Sequence, residues 1–328
     1  MILKNRKALK SAAAVTLSRA SCNPKKLALI YSGVLLGVSL LLLVIDYVTN
    51  HVLANFGGLS AMTVQAMASS SLTMMNLTVT LLTPVWSAGF LLCTLKWVRG
   101  EAVGPRDLKG GFSRFLPLLK LTLAKGLMTV AVVIISCYAA LMIFTLTPLS
   151  NGMTNLIAPF LTEEAADIAV IMEQIPQDQL MQSMIPFYPL ALGAFAFLYY
   201  IFLYRLRFAE YFILDRRTDR AKVAMALSTR LLHRRKKDLL KLDLSFWWYY
   251  VATALLAVIG YLDVILAFVG MPLPFDPAVN YFVPFILYIA GTLLLEVHAL
   301  PYIQTVYTES YCRLTEPKEE IFPVIDAE

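Results

Sequence analysis

The sequence predicts an all-α, polytopic membrane protein with six transmembrane helices arranged as three hairpins. Three stretches, 27–95, 126–204 and 242–312, contain no Lys or Arg. Each stretch is about 70 to 80 residues long, and a helix needs about 20 apolar residues to cross the hydrocarbon core of a bilayer. Each is therefore long enough to cross, turn and cross back. A hydrophobic fraction of 59% and a charged fraction of 15% exclude an ordinary soluble domain.

The cations of the chain are confined to four islands between and around these stretches. Of the 28 Lys and Arg residues, seven lie in 1–26, seven in 96–125, twelve in 205–241 and two after Cys312. Cytoplasmic loops collect Lys and Arg, and this bias sets the orientation of a membrane protein. We therefore expect both termini and every basic island on the cytoplasmic side of the cell membrane. Because orientation explains the net charge of +6, we expect no nucleic-acid partner.

The first 26 residues predict a basic amphipathic segment that lies on the inner leaflet. Leu9, Ala13 and Leu17 recur at helical spacing among cations. The first span is predicted at 27–48. Its apolar run is longer than the hydrophobic region of a signal peptide, and Asp46 is unlike the small residues of a cleavage site, so we expect this span to be retained.

The second and third spans are predicted at 72–98 and 121–147. Pro84 predicts a kink in the second span, which neighbouring helices can tolerate by satisfying the freed backbone group. The sequence does not decide the conformation of 51–71. A turn that begins at Gly104 predicts a short interfacial helix between the two spans.

A long loop over 148–186 separates the third span from the fourth, which is predicted at 187–203. The loop contains five carboxylates and no cation. Thr162 is a predicted N-cap with acidic residues in the turn that follows, which predicts a short amphipathic helix on the outer membrane surface. Arg205 and Arg207 close the fourth span on the cytoplasmic side.

The last third of the chain predicts a cytoplasmic helix and two more spans. The helix is predicted over 218–241. The fifth span, 246–262, begins with an aromatic run of the kind that marks a membrane interface. The sixth span is predicted at 281–302. The six spans together form one transmembrane domain, 27–312, and a polar cytoplasmic tail, 313–328, follows it.

Several motifs occur in a fixed order along the chain. They are Pro84 and Gly89 before Arg99-Gly100-Glu101, Asp107-Leu108 before Gly111-Phe112, Tyr204-Arg205-Leu206-Arg207, Leu242-Asp243-Leu244-Ser245-Phe246, and Pro301-Tyr302. This order resembles an uncharacterised bacterial family of integral membrane proteins, domain of unknown function 975. The chain differs from the family in its acidic loop and at 232–236, where relatives carry a Met-Lys-Gly-type turn. The resemblance implies a multi-pass protein of the bacterial inner membrane and implies no specific chemistry.

Glu296 and His298 are candidate functional residues because they lie in the predicted sixth span. An ionisable group in a span is costly and usually faces a bundle interior or a wet cavity. The two residues are two positions apart and point to different helix faces, which argues against a shared metal site. Two interpretations stay open. Glu296 forms a proton or substrate site paired with Arg205 or Arg207, or an ion pair there only fixes helix packing.

A dense group of cations on the predicted cytoplasmic helix is the second candidate. This basic patch consists of Arg230, Arg234, Arg235, Lys236, Lys237 and Lys241. Each cation near an anionic membrane surface contributes about 1 kcal/mol, so the patch is a candidate contact for anionic lipid headgroups. The alternative is a topology signal without a selective ligand.

Several absences bear on function. The four cysteines have no paired spacing, so we expect no metal site and no cofactor. No phosphate-binding Gly-rich loop, His-Glu-x-x-His or Gly-x-Ser-x-Gly motif is present, and no soluble segment exceeds about 40 residues. We therefore expect a non-enzymatic protein of membrane interaction, scaffolding or envelope homeostasis, with anionic lipid or a membrane protein as partner. The alternative is a small permease or lipid-handling transporter.

Overall fold

The structure is a computed structural model that describes residues 5–48, 59–157, 183–262, 266 and 277–315. Every secondary-structure element within these residues is helical, which confirms the predicted all-α class. The predicted outer-surface helix after Thr162 and most of the polar tail lie outside the described residues.

The helices of the chain fall into two groups along the sequence. The first contains α1 (Arg6–Ser18), α2 (Pro24–Tyr47), α3 (Leu59–Val98), a 3-10 helix (Pro105–Arg114), α4 (Phe115–Leu146), a 3-10 turn (Pro148–Ser150) and α5 (Asn151–Ile157). The second contains α6 (Phe187–Leu198) with its π and 3-10 continuations (Tyr199–Leu203, Tyr204–Leu206), α7 (Ala209–Leu214), α8 (Ala221–Leu231), α9 (Lys236–Leu244), α10 (Trp247–Gly260) and α11 (Pro277–Thr315).

Five helical segments of the described chain are long and apolar enough to cross a membrane. They are Pro24–Leu42, Ser70–Val98, Pro105–Leu146, Phe187–Leu214 and Val283–Thr315. The pair α9 and α10, bent by 62°, gives a sixth when the two helices are counted as one span. An all-helical chain with five to six candidate spans agrees with a multi-pass membrane protein, and the arrangement in three hairpins stays a prediction.

Several helices extend beyond the predicted spans. α3 begins at Leu59, well before residue 72, and it runs unbroken through Pro84. α11 continues past residue 302 to Thr315, although it contains Pro301. Helical structure after the fourth predicted span also continues to Leu214. The two C-terminal extensions consist largely of buried residues, so they follow from tertiary packing, which apolar run length does not report.

The predicted single helix over 218–241 is wrong. α8 ends at Leu231, and α9 starts at Lys236 after a turn in which Arg234 has φ +64°. A left-handed conformation costs a non-glycine residue about 1–2 kcal/mol. The turn buries Leu232 completely, and burial of a leucine side chain stabilises by about 1.5–3 kcal/mol. Leucine burial therefore outweighs the strain at Arg234.

The chain divides into two compact units, Met1–Thr122 with Phe208–Glu328, and Leu123–Arg207. In the second unit, α4 buries one stripe with a period of four residues: Val132, Ser136, Ala140 and Phe144. The Phe144 ring meets the Phe187 ring edge-on, with the centroids 6.1 Å apart.

The first unit has its buried residues at one end of its long helices. In α11, none of residues 299–315 is exposed, whereas Pro284 alone is buried within 283–298. We call the densely buried part of this unit the cap, which comprises residues 5–32, 85–121, 208–246 and 299–315. We call the helical stretches that continue from the cap the apolar segments, which comprise 33–48, 70–84, 247–260 and 283–298.

Glycines allow the Pro105–Arg114 helix to pack directly on α3. Gly111 lies against the carbonyl oxygen of Val85, and Gly89 lies against that of Leu108, so a Cβ at either glycine would collide with backbone. The short helix predicted here is therefore a 3-10 helix pressed against α3. Asp107 fixes its start by accepting a hydrogen bond from the Gly104 N–H at 2.8 Å.

Candidate functional site

The basic patch lies on two short helices and the turn between them. Arg230 ends α8, Arg234 and Arg235 lie in the turn, and Lys236, Lys237 and Lys241 belong to α9. The side chains of Arg230, Arg234, Lys237 and Lys241 are exposed, and those of Arg235 and Lys236 are partly buried. The structure thus keeps the six predicted residues within one stretch of surface but divides them between two helices.

Leucines beneath the patch fix it to the cap. Leu231, Leu232, Leu239 and Leu242 are each at most 6% exposed. The cations therefore stand on a packed scaffold, and the strained turn at Arg234 is determined by the leucines on both sides. Such a scaffold holds the positive charges at fixed positions relative to the cap.

The N-terminal helix α1 lies on the C-terminal end of α9. Arg6 Nη1 donates to the Lys241 carbonyl at 3.1 Å, and Lys10 Nζ donates to the Ser245 carbonyl at 3.1 Å. The last four carbonyls of a helix have no intrahelical partner. A cation at that end also interacts favourably with the helix dipole. α1 therefore caps α9 with two cations that are one helical turn apart.

Packing around Lys10 strengthens this contact. The ammonium lies 4.3 Å from the centroid of the Phe246 ring, a cation–π distance. Burial lowers the pKa of Lys10, and the nearby Arg6 charge lowers it further. On the same helix Leu9 and Ala13 are fully buried. The apolar face that the sequence predicts on the inner leaflet is thus covered by protein, because its spacing fits the surface of the cap.

Glu296 is partly buried on α11 and lies near hydroxyl groups from two other helices. Tyr31 and Ser32 of α2 and Tyr249 of α10 are close enough to interact electrostatically with its carboxyl group. Ser32 is fully buried, and its hydroxyl makes no well-formed hydrogen bond with any described residue. The Tyr31 hydroxyl and Ser87 Oγ share a hydrogen bond of 2.8 Å. The Glu296 carboxyl group thus lies in a small cluster of hydroxyl groups that the sequence analysis did not predict.

The other three predicted polar residues of the spans, His298, Arg205 and Arg207, have local contacts. His298 is exposed, and its Nδ1 lies 2.9 Å from the Leu294 carbonyl of its own helix. Arg205 Nε donates to the Ile201 carbonyl at 2.7 Å. The Arg207 guanidinium lies 5.8 Å from the centroid of the Tyr204 ring. An ion pair between Glu296 and either arginine stays a prediction. Within the described residues, no group of three or more His, Cys, Asp and Glu side chains is placed to hold a metal ion.

Sequence reasoning missed a carboxylate hub in the cap. Asp215 pairs with Arg99, accepts from Arg217 Nε at 2.8 Å and accepts from the Tyr311 hydroxyl at 3.1 Å. The hydrogen bond to Asp215 raises the pKa of the Arg99 guanidinium. The Asp215 side chain is 6% exposed. The hub therefore ties together the ends of α3, α7 and α11.

A second group of hydroxyls lies along the same face of α11. The Tyr307 hydroxyl donates to Asp243 at 2.5 Å, and Thr308 shares hydrogen bonds with Thr94 at 2.8 Å and with Tyr211 at 3.3 Å. Tyr307, Thr308 and Tyr311 follow at helical spacing after the predicted sixth span. That spacing is the one signal in the sequence that indicates a continued, buried helix.

A cavity of about 340 Å³ opens beside the hub. Its polar lining consists of Lys96, Arg99, Glu101, Asp215 and Arg216, and its apolar lining of Leu92, Leu95 and Leu214. Lys96 Nζ pairs with Asp107 at 2.8 Å, and Arg99 pairs with Asp215. Most of the cations are thus neutralised by carboxylates, so the lining does not favour a ligand of one sign.

Comparisons of the chain with protein-family models, with curated proteins and with solved structures found no match. The resemblance to domain of unknown function 975 therefore stays a prediction.

Proposed function

We propose that the protein is a non-enzymatic, multi-pass protein of the bacterial cell membrane that binds anionic lipid headgroups through its basic patch. It serves membrane interaction, scaffolding or envelope homeostasis, with both termini in the cytoplasm. The observation that carries the proposal is the position of the patch. Lys237 and Lys241 closely precede Trp247 and Trp248, whose side chains are 63% and 45% exposed.

Physical chemistry supports this position as a headgroup site. Exposed tryptophans favour the boundary between headgroups and acyl chains. Cations a few residues away then lie at the level of the phosphates, where each contributes about 1 kcal/mol of attraction to an anionic surface. Because the patch stands on buried leucines, little backbone order has to be gained on binding.

Native mass spectrometry of the protein, released from its own membrane in mild detergent, tests the proposal. We expect retained masses of anionic glycerophospholipid. The triple variant Arg230→Gln, Lys237→Gln and Lys241→Gln loses most of this lipid. Its matched control is Arg106→Gln, Lys109→Gln and Lys222→Gln, which removes the same charge from exposed positions elsewhere. Equal loss in both variants would show attraction by total charge alone, and no retained lipid in the parent protein would refute the proposal.

A small permease or lipid-handling transporter is the second candidate function, and the Glu296 cluster supports it. Carboxyl groups within candidate spans mark ion and substrate pathways, and Glu296 lies within Val283–Thr315. Transbilayer movement of a fluorescent phosphatidylglycerol in proteoliposomes tests this function. Transport that is lost in Glu296→Gln but kept in His298→Gln would support it, and equal rates with and without protein would exclude lipid movement.

A further inference from the structure

Two helices of the first unit are too long to lie wholly in a bilayer. α3 has 40 residues and α11 has 39, which at 1.5 Å per residue makes them about 60 and 58 Å long. The hydrocarbon core is about 30 Å thick, and an ordinary tilt of about 20° lengthens the path through it only slightly. Roughly half of each helix therefore extends beyond the hydrocarbon.

The burial pattern identifies which half is outside. In α3, none of residues 70–84 is buried, whereas buried side chains begin at Val85 and continue to Trp97. In α11, eleven of the residues 299–315 are buried and none is exposed, whereas 283–298 contains one buried residue and six exposed ones. A protein surface in contact with acyl chains can leave apolar side chains uncovered, whereas large uncovered apolar patches are rare in water. The covered half is thus the half that meets water.

In α2 and α10 the burial of side chains also changes, in both cases near the N-terminus of the helix. In α2, Leu27, Ala28, Tyr31 and Ser32 are buried, and no side chain described after Ser32 is. Phe246 is buried directly before α10, and no residue of 247–260 is. The cap therefore contains the N-terminal end of α2, the residue directly before α10 and the C-terminal parts of α3 and α11. Four helices thus give one level at which protein burial stops.

Charged residues are also distributed differently between the cap and the apolar segments. The cap contains the Arg99–Asp215 and Lys96–Asp107 ion pairs. Charged groups inside hydrocarbon cost several kcal/mol even after snorkelling, by most estimates about 3 kcal/mol or more. The apolar segments contain no Lys or Arg, and their carboxylates are Asp46 and Glu296. A network of paired charges is therefore stable in the cap only if the cap lies outside the hydrocarbon.

We propose that the cytoplasmic boundary of the hydrocarbon core crosses the first unit at Ser32, Val85, Phe246 and Ala299. The cap is then a helical domain in water, assembled from four separate segments of sequence. The protein surface around the four boundary residues lies at the level of the lipid headgroups. From Pro277 to His298, the rest of α11 is about 33 Å long, which matches the thickness of the core. Glu296 and His298 lie within one turn of this boundary.

Quenching of tryptophan fluorescence by lipids brominated on the acyl chain near the glycerol backbone tests the boundary. Two single-tryptophan proteins are made by Trp→Phe substitution, one that keeps Trp247 and one that keeps Trp97. If α3 left the hydrocarbon at Val98, both residues would lie near the interface and both would be quenched. At the proposed boundary, Trp97 lies about 18 Å further out along α3, and quenching of Trp247 is several-fold larger. Equal quenching, or quenching of Trp97 alone, overturns the proposal.

A second measurement avoids replacement of Trp97, which is buried, and of Trp86, which is partly buried. Spin labels are attached to Leu294→Cys and Gln304→Cys, each in a chain without its native cysteines. Leu294 is exposed, and Gln304 is partly buried in the cap half of the same helix. We expect greater accessibility to oxygen at position 294 and greater accessibility to a water-soluble nickel complex at position 304. The same preference for oxygen at both positions overturns the proposal, whatever the lipid specificity of the basic patch.

Discussion

The two halves of α11 have the same backbone geometry and different surroundings. Leu294 is 64% exposed and Ile303 is 4% exposed, although both are large aliphatic residues of one helix. The half with Leu294 presents several large apolar side chains, such as Ile286 and Leu287, that the described residues leave exposed. The half with Ile303 packs against protein and holds hydroxyls that bond to Asp215 and Asp243. At the proposed boundary, lipid covers one half of this continuous helix and protein covers the other.

The largest effect is expected from truncation of the same kind of side chain in the two halves. Ile303→Ala removes a fully packed side chain and should lower the free energy of unfolding by about 3 kcal/mol. Leu294→Ala removes a side chain with few protein neighbours and should change it by less than about 1 kcal/mol. Denaturant unfolding in mixed micelles measures both. A similar loss in the two variants would mean that the apolar half is also packed by protein, for instance in an oligomer.

Glycines provide a second comparison between cap and apolar segments. Gly89→Ala places a Cβ against the Leu108 backbone, where no flexible side chain can move aside. Overpacking of this kind should destabilise by about 2–3 kcal/mol. A Cβ at Gly33 in α2 would meet nothing within 4 Å beyond its own helix, so Gly33→Ala should stabilise the helix by up to about 1 kcal/mol. Thermal unfolding of the two variants should therefore shift in opposite directions.

Ion pairs within the cap give the third comparison. Asp215→Asn leaves Arg99, Arg217 and Tyr311 without their shared carboxylate. Because both arginines are more than one-third exposed, solvent screening limits the expected loss to about 2 kcal/mol. Asp219 also pairs with an arginine, Arg114, but its own side chain is 64% exposed. Asp219→Asn should therefore change stability by about 0.5 kcal/mol or less, and an equal loss in the two variants would contradict the importance of burial at the hub.

Much of the membrane architecture could be predicted because it follows from run length and charge. The cation-free stretches and the apolar residues beside them indicate multiple spans without any knowledge of packing. The cap could not be predicted in the same way. Apolar residues such as Phe90 and Trp97 in α3, which the cap buries against protein, have the same hydropathy whether lipid or protein covers them. Apolar composition therefore predicts that the second span continues to residue 98, beyond the proposed boundary at Val85.

The candidate sites also differ in whether local sequence could predict them. The basic patch could be found because its cations are consecutive or nearly so. The hub was missed because Arg99 and Tyr311 are separated from Asp215 by 116 and 96 residues, and nothing local connects them. The sequence predicts α1 as a leaflet helix because amphipathic spacing is the same for a membrane surface and for a protein surface. Only the positions of Leu9 and Ala13 against the cap distinguish the two.

The smallest expected effect concerns α1, whose contact with α9 depends on two cations at the surface of the cap. The double variant Arg6→Gln and Lys10→Gln removes the donors to the Lys241 and Ser245 carbonyls. Interactions of cations with a helix end are worth about 0.3–1 kcal/mol each. We expect the protection of α1 and of residues 236–246 against hydrogen exchange to fall by a factor of about five, which corresponds to about 1 kcal/mol.

The matched control is Lys7→Gln with Arg19→Gln, which removes the same charge from exposed positions of the same segment. The control should leave exchange in residues 236–246 unchanged, because neither side chain reaches α9. If both double variants lost the same protection, total charge would hold α1 in place and the two carbonyl contacts would be incidental. If neither lost any, the burial of Leu9 and Ala13 would be sufficient to dock the helix. α1 would then be held on the cap by apolar burial alone, in the way that Ile303 of α11 is packed.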